Sequence, residues 1–159
     1  MGEFIRLAHA MSKTHPHPAA PPASADEVEA AFYDALQHAN LERLMACWAE
    51  DEEIICMLPG GQRLVGAGAI RAAFERMFSH SAIRAWPQHV RTIDAMTTSV
   101  HSVIERVEIM LPEGPRQGWV AATNVYYKTV HGWRLVLHHA SPGTEQPLEV
   151  QEPGKRVLH

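Results

Sequence analysis

The chain has 159 residues and a formal net charge of −4. That length fits one domain around a single sizeable core, and the mild negative charge gives no electrostatic case for binding nucleic acid or an anionic membrane. No apolar run approaches the roughly 20 residues that span a bilayer, and two cysteines, Cys47 and Cys56, make neither a disulfide framework nor a zinc ligand set.

In chain order, the first stretch does not read as a secretory signal, because Arg6 and His9 interrupt the apolar residues between Phe4 and Met11. Residues 1–23 read as a disordered leader: the run from His15 to Pro22 is proline-rich and offers nothing to pack. Ser24 and Glu27 form a capping box. The helix that follows buries Val28, Ala31, Phe32, Ala35 and Leu36, at i, i+3, i+4, i+7 and i+8, with Tyr33 at the edge of the stripe. Asn40 caps a second, short helix whose apolar face is Leu41, Leu44, Met45 and Trp48. Residues 54–58 are a short buried strand stopped by Pro59, Gly60 and Gly61. A third helix runs from about Ala67 to Phe78, with Ile70, Ala73, Phe74 and Met77 on one face.

From Ile83 the period becomes strand-like. Residues 88–98 and 99–111 read as two strands, and Pro112 to Pro115 as a turn into a final hairpin over residues 118–141. Both arms of that hairpin are rich in β-branched and aromatic residues, with His131-Gly132 between them. Three helices and a strand followed by four antiparallel strands make an α+β fold, with the helices laid on one face of the sheet. Residues 143–159 read as a tail. Two free thiols suggest a reducing, cytoplasmic setting.

Candidate chemistry follows from strand alternation. Strict alternation puts Trp133, Leu135, Leu137, His139 and Ser141 on one face and Arg134, Val136, His138 and Ala140 on the other, so His138 and His139 cannot share a metal. No second histidine or acid is placed by spacing, so neither a metal nor a cofactor is expected. Glu105 shares a face with His101, Val103, Val107 and Ile109; a carboxyl in such surroundings has a raised pKa and can act as acid or base, unless it is paired at the sheet edge or turned out by a bulge. His89 and His101 are either pocket residues or satisfied structural side chains. Asn124 and His139 are expected on one wall, close enough to bond each other, Tyr33, or a ligand.

Several stretches carry a resemblance: Trp48-Ala49-Glu50-Asp51 closing the opening helices; Leu58-Pro59-Gly60-Gly61 followed by Leu64-Val65-Gly66 and a helix; and Thr123-Asn124-Val125-Tyr126 with Gly132-Trp133-Arg134-Leu135-Val136 and His139-Ala140-Ser141. Over roughly residues 25–142 the chain resembles the nuclear transport factor 2-like superfamily, and within it the SnoaL-like group of small, uncharacterised bacterial proteins. It is also similar there to the association domain of calcium/calmodulin-dependent kinase. The resemblance implies a cone: a strongly bent, mostly antiparallel sheet around three N-terminal helices, over residues 24–142, with a pocket between the layers. It also implies a homodimer.

Enzymes of the superfamily use an acidic base in the pocket, often with a second acid or a tyrosine holding an oxyanion. This chain has no matching aspartate-arginine-aspartate set, and Asp94 apart, no aspartate sits on a strand in the position expected of an isomerase base. An arginine occupies the place of Asn124 in the kinase association domain, so that domain's preference for anions does not carry over. Two readings follow. In one, the protein is a dimeric binding module for a small, largely apolar ligand, with Tyr33, Trp48, Met57, Asn124, Tyr126, Leu137 and His139 lining the pocket. In the other, it is an isomerase, cyclase or hydrolase using His139 or Glu105 as acid/base. The missing paired acids favour the first. The dimer is expected through the outer sheet face, carrying Ala121, Thr123, Val125, Tyr127, Val136 and His138.

Overall fold

The computed structural model describes residues 20–144. Three helices, α1 (Ala25–Gln37), α2 (Leu41–Ala46) and α3 (Ala67–Phe78), accompany six strands: β1 (Ile55–Met57), β2 (Arg63–Val65), β3 (Ala85–Asp94), β4 (Thr98–Leu111), β5 (Gly114–Thr129) and β6 (Gly132–Pro142). The strands form one sheet in the order β2-β1-β6-β5-β4-β3. All neighbours are antiparallel except β1 and β6, which run parallel, so the sheet is mixed. The α+β class and the helix placements match the sequence reading. The short strand β2 lacks enough alternation to declare itself. The third strand begins at Ala85 and ends at Asp94, and residues 95–97 form its turn.

The helix starts are set locally. The Ser24 side chain accepts from the Glu27 amide, while Glu27 accepts from the Ala23 amide, one residue earlier than a standard box. Asn40 caps α2 by accepting from the Arg43 amide. α1 buries Val28, Phe32 and Leu36 against the sheet, as its periodicity requires, but it also buries Glu29 and Tyr33. These apolar side chains join Leu44 of α2 and Ile70 and Phe74 of α3 over Val103, Ala122, Tyr126, Leu135 and Ala140. Among the described residues, no helix is long and apolar enough to cross a membrane.

The closing hairpin turns at Val130-His131, between Thr129 and Gly132. Further along, Tyr126 pairs with Leu135 but Val125 pairs with Leu137, leaving Val136 as the extra residue of a β-bulge. The bulge reverses the inside-outside phase of β6 beyond it. Leu135 is inward before the bulge, and His138 and Ala140 are inward after it. Asn124 therefore pairs with His138, not His139, and His139 is exposed. His138 accordingly leaves the set expected on the outer face. Across that outer face, Ile55, Leu137, Val125, Val100 and Ile93 fall in one register row over five strands.

Of the expected leader, residues 1–23, residues 1–19 lie outside those described. The Trp133 amide donates to the Pro22 carbonyl at 3.1 Å, so the chain just before α1 is fastened to the final hairpin. This contact needs Gly132. Its φ is +88°, and a Cβ there would stand 2.8 Å from the Pro22 oxygen and 3.0 Å from the Pro21 Cβ. Gly132→Ala should therefore cost at least about 1 kcal/mol and lower the melting temperature by about 3 °C or more. Unchanged calorimetric melting would show that the segment before α1 does not press on the hairpin.

Candidate functional site

The inner face of the sheet carries a row of polar side chains in an otherwise apolar interior. Alternation along β4 turns Ser99, His101, Val103 and Glu105 inward, and along β5 it does so for Ala122, Asn124 and Tyr126. α1 lies over them and contributes Glu29 and Tyr33, four residues apart and so on one helix face. Glu29 is 6% exposed and is the hub. Its Oε2 accepts from the Tyr126 hydroxyl at 2.8 Å and from His101 Nδ1 at 2.8 Å, and it has a longer contact with Asn124 Nδ2 at 3.4 Å. His101 continues outward through Nε2 to Ser99 Oγ at 3.0 Å, and the Ser99 hydroxyl donates to Asp94 at 2.5 Å.

From the hub the network runs inward to a second cluster. Asn124 Nδ2 donates to the Tyr33 oxygen at 3.1 Å, and the Tyr33 hydroxyl donates to Glu105 Oε1 at 2.7 Å. Asn124 Oδ1 accepts from His138 Nδ1 at 2.5 Å, and His138 Nε2 lies 4.0 Å from Glu105 Oε1. Glu105 and His138 then border a cavity of about 310 Å³ whose other walls are apolar, including Phe32, Phe74, Met77, Val107 and Val120. The Phe32 ring lies 5.2 Å from the His138 ring, and both line the cavity.

Burial sets the protonation of this pair. Loss of solvent pushes the Glu105 carboxyl up from 4.5 to about 7; the Tyr33 hydrogen bond opposes the rise and the nearby Glu29 charge adds to it. Burial pulls His138 down from 6.5 to about 4, helped by His139. Between those values the pair holds one proton, on the carboxyl. An ion pair would put two charges in a dry site 4.0 Å apart, too far for a good direct hydrogen bond to offset their desolvation. Burial and the neighbouring Glu105 raise Tyr33 well above 10, so it stays a donor. The Cys47 and Cys56 thiols, pushed by burial up to about 11 and about 12, stay protonated and are poor nucleophiles near neutrality. Among the described residues no three His, Cys, Asp or Glu side chains converge as a metal site requires.

The expected site residues separate into four places. Glu105 faces the cavity. Tyr33, Asn124 and Tyr126 are buried behind it in the network. Trp48 is buried edge-on to Phe32 and borders a different groove, beside Tyr127 and Arg134. Met57, Leu137 and His139 leave the expected pocket wall: Met57 and Leu137 flank the buried Cys56 and His138 on the opposite face, and His139 is exposed there. For Leu137 and His139 the cause is the Val136 bulge, which strict alternation cannot anticipate; Met57 lies on the outer side of β1, next to the inward Cys56. His101 is buried in the network, whereas His89 is exposed at φ +47° within the β3 bulge. Sequence reasoning missed Glu29 and His138 as site residues. Glu29 had a signal: it continues the stripe of Ala25, Phe32 and Leu36 at i+4, i+7 and i+11.

The two pKa displacements have opposite consequences for stability. Glu105 is raised in the fold, so the native state holds its proton more tightly and stability declines as pH rises from about 4.5 to about 7. His138 is depressed, so its contribution is present above about 6.5 and is lost as pH falls toward about 4. Each effect is on the order of 3 kcal/mol, and they oppose each other in the wild type. Relative to wild type, Glu105→Gln should gain stability as pH rises through this window, and His138→Gln should gain it as pH falls. Denaturant unfolding at several pH values checks both signs, and parallel curves for all three proteins would contradict the assignment.

Comparison with known proteins comes to the same fold. The model of the SnoaL-like domain matches residues 26–145. No curated protein matches the chain at a significant level. A structure from Thiobacillus denitrificans, provisionally described as a calcium/calmodulin-dependent protein kinase type II association domain, is 34% identical; the match covers 80% of this chain and 100% of that one, with a TM-score of 0.70. A Streptomyces avermitilis protein, provisionally described as a dehydratase of the nuclear transport factor 2-like family, is 24% identical over 74% of this chain and 93% of its own, with a TM-score of 0.67. A nuclear transport factor 2-like protein with a cystatin-like fold from Novosphingobium aromaticivorans is 17% identical over 76% and 80%, with a TM-score of 0.64. The last two are similar in fold alone. By the domain match, which spans residues 26–145, this chain belongs to the SnoaL-like domain family.

Proposed function

We propose that the protein binds a small, neutral, largely apolar molecule in the cavity beside Glu105 and His138, and transfers protons on it. The observation that carries this reading is the pairing of one carboxyl and one imidazole, sharing a single proton, as the polar part of an apolar cavity. A volume of about 310 Å³ is near the lower end for small-molecule pockets. It equals the liquid volume of about ten waters, which favours a compact ligand. Among the described residues no arginine or lysine lines it, so a carboxylate or phosphate would enter without a counter-charge from them.

The pair suits an enolisable carbonyl compound. Protonated Glu105 donates to the carbonyl oxygen, and the lone pair of His138 Nε2 accepts the proton from the adjacent carbon. Return of that proton at another carbon gives an isomer; loss of a neighbouring leaving group gives an elimination. Both need acid and base in these protonation states at once, so the rate should be bell-shaped in pH, with limbs near about 4 and about 7. Turnover of neutral cyclic ketones and enones, assayed beside their carboxylated counterparts, tests the reading. Glu105→Gln should lower kcat by roughly 10²- to 10⁴-fold. Tight binding of these compounds without turnover by the wild type would leave a binding module, and neither binding nor turnover would remove the pocket assignment.

We further infer a homodimer through the outer sheet face. The aliphatic row of Ile55, Leu137, Val125, Val100 and Ile93 supports it, because Ile93 alone is 74% exposed in the single chain. The description of the Thiobacillus denitrificans relative as an association domain is consistent with an assembly role for this fold. Sedimentation at micromolar concentration should give a dimer that Val125→Arg converts to monomer. A monomeric wild type would sink the interface.

A further inference from the structure

We propose that Asn124, oriented by Glu29, is the positioning residue that holds His138 with its proton on Nδ1 and its lone pair on Nε2. The inference rests on the acid/base reading above and adds the origin of the base. An imidazole can carry its single neutral-state proton on either nitrogen, and the hydrogen bond made by one ring nitrogen decides the state of the other. At His138 that partner is the Asn124 side chain, 2.5 Å from Nδ1.

An amide is polar in a fixed sense: its nitrogen only donates and its oxygen only accepts. Its direction in the core therefore dictates the direction of every neighbour. Asn124 is fully buried, with no solvent to satisfy a wrongly turned group. Its nitrogen faces Glu29 Oε2 at 3.4 Å and the Tyr33 oxygen at 3.1 Å. Turning the amide over would set its oxygen against a carboxylate oxygen that already accepts from Tyr126 and His101. Glu29 thus selects the orientation electrostatically, and the amide oxygen is left pointing to His138.

Two consequences follow from that one choice. His138 Nδ1 must donate to the amide oxygen, so Nε2 carries the lone pair on the side of Glu105. The Tyr33 oxygen must accept from Asn124, so its own hydrogen goes to Glu105 Oε1. With Oε1 accepting, the carboxyl proton is carried by Oε2. The turned amide would instead leave a lone pair on Nδ1 and a proton on Nε2, and the base would be lost without any change of residue.

The test reads the ring directly and needs no substrate. Histidine labelled with nitrogen-15 in the full chain reports, by long-range proton–nitrogen correlation at pH 6, which ring nitrogen is protonated. His138→Gln identifies the signal among the 11 histidines. Wild type should show His138 protonated on Nδ1 only. Asn124→Leu should weaken that preference by roughly five- to tenfold, the worth of one hydrogen bond. Glu29→Gln, which keeps the side-chain shape, should produce a mixture because the amide is free to turn; it also serves if Asn124→Leu fails to fold. A proton on Nε2 in the wild type, or an unchanged tautomer in every folded variant, would overturn the proposal. The correct wild-type tautomer, lost in the variants, would support it even if no substrate turned over, and then only the catalytic reading would fall.

Discussion

A carboxylate buried in a protein core must be surrounded by donors, and the structure depends on how that requirement is met at Glu29. The donors come from α1's opposite layer: Tyr126 and Asn124 on β5 and His101 on β4. None is near Glu29 in sequence; their separations run from 72 to 97 residues. The network therefore forms only when α1 is seated on the correct strands in the correct register. A helix shifted by one turn, or a strand slipped by one residue, would leave an uncompensated charge where the native arrangement has at least two short hydrogen bonds. Apolar packing of Phe32 and Leu36 supplies most of the driving force, but it tolerates sliding more than this polar cluster does.

The second constraint is the extra residue in β6. Without the bulge at Val136, the hairpin would present Leu137 and His139 to the interior and turn His138 to the surface. The Asn124 oxygen would then meet no imidazole, and the carboxyl of Glu105 would have no base beside it. A single inserted backbone position thus decides which of two adjacent histidines faces the interior, while the apolar core is served on either side of it by Leu135 and Ala140.

The sequence made the layers legible because they rest on strong periodic signals. The caps at Ser24 and Asn40, the stripes of α1 and α3, and the β-rich arms of the last hairpin all describe local chemistry. Glu105 was legible for the same reason, since β4 alternates without a break from Ser99 to Glu105. Legibility stopped where one residue breaks the period. The stretch Leu135-Val136-Leu137 is equally apolar on both faces, so nothing in its residue types marks where the phase reverses. The mistaken placement of Met57, Leu137 and His139 follows from that one shift and from the parallel pairing of β1 with β6, a contact between distant segments. Glu29 was hidden differently: a glutamate on a helix is usually solvated, and only its partners on the far strands reverse that expectation.

The cluster also divides its polar groups by the kind of burial each receives. His101 has a partner at each ring nitrogen and Glu29 gathers three contacts on Oε2, which is how a core polar group acts as a structural element. Glu105 and His138 border space instead: Tyr33 reaches one oxygen of the carboxyl and Asn124 reaches one nitrogen of the ring, which leaves each side chain with one further polar atom. Apolar residues of similar volume would fill these two positions at less cost to the fold, since neither group gains a full set of partners for its desolvation. A hub enclosed by three partners and a pair that borders the cavity therefore do different things. In the proposed reading the hub fixes direction, and the pair keeps a proton and a lone pair available to whatever the cavity admits.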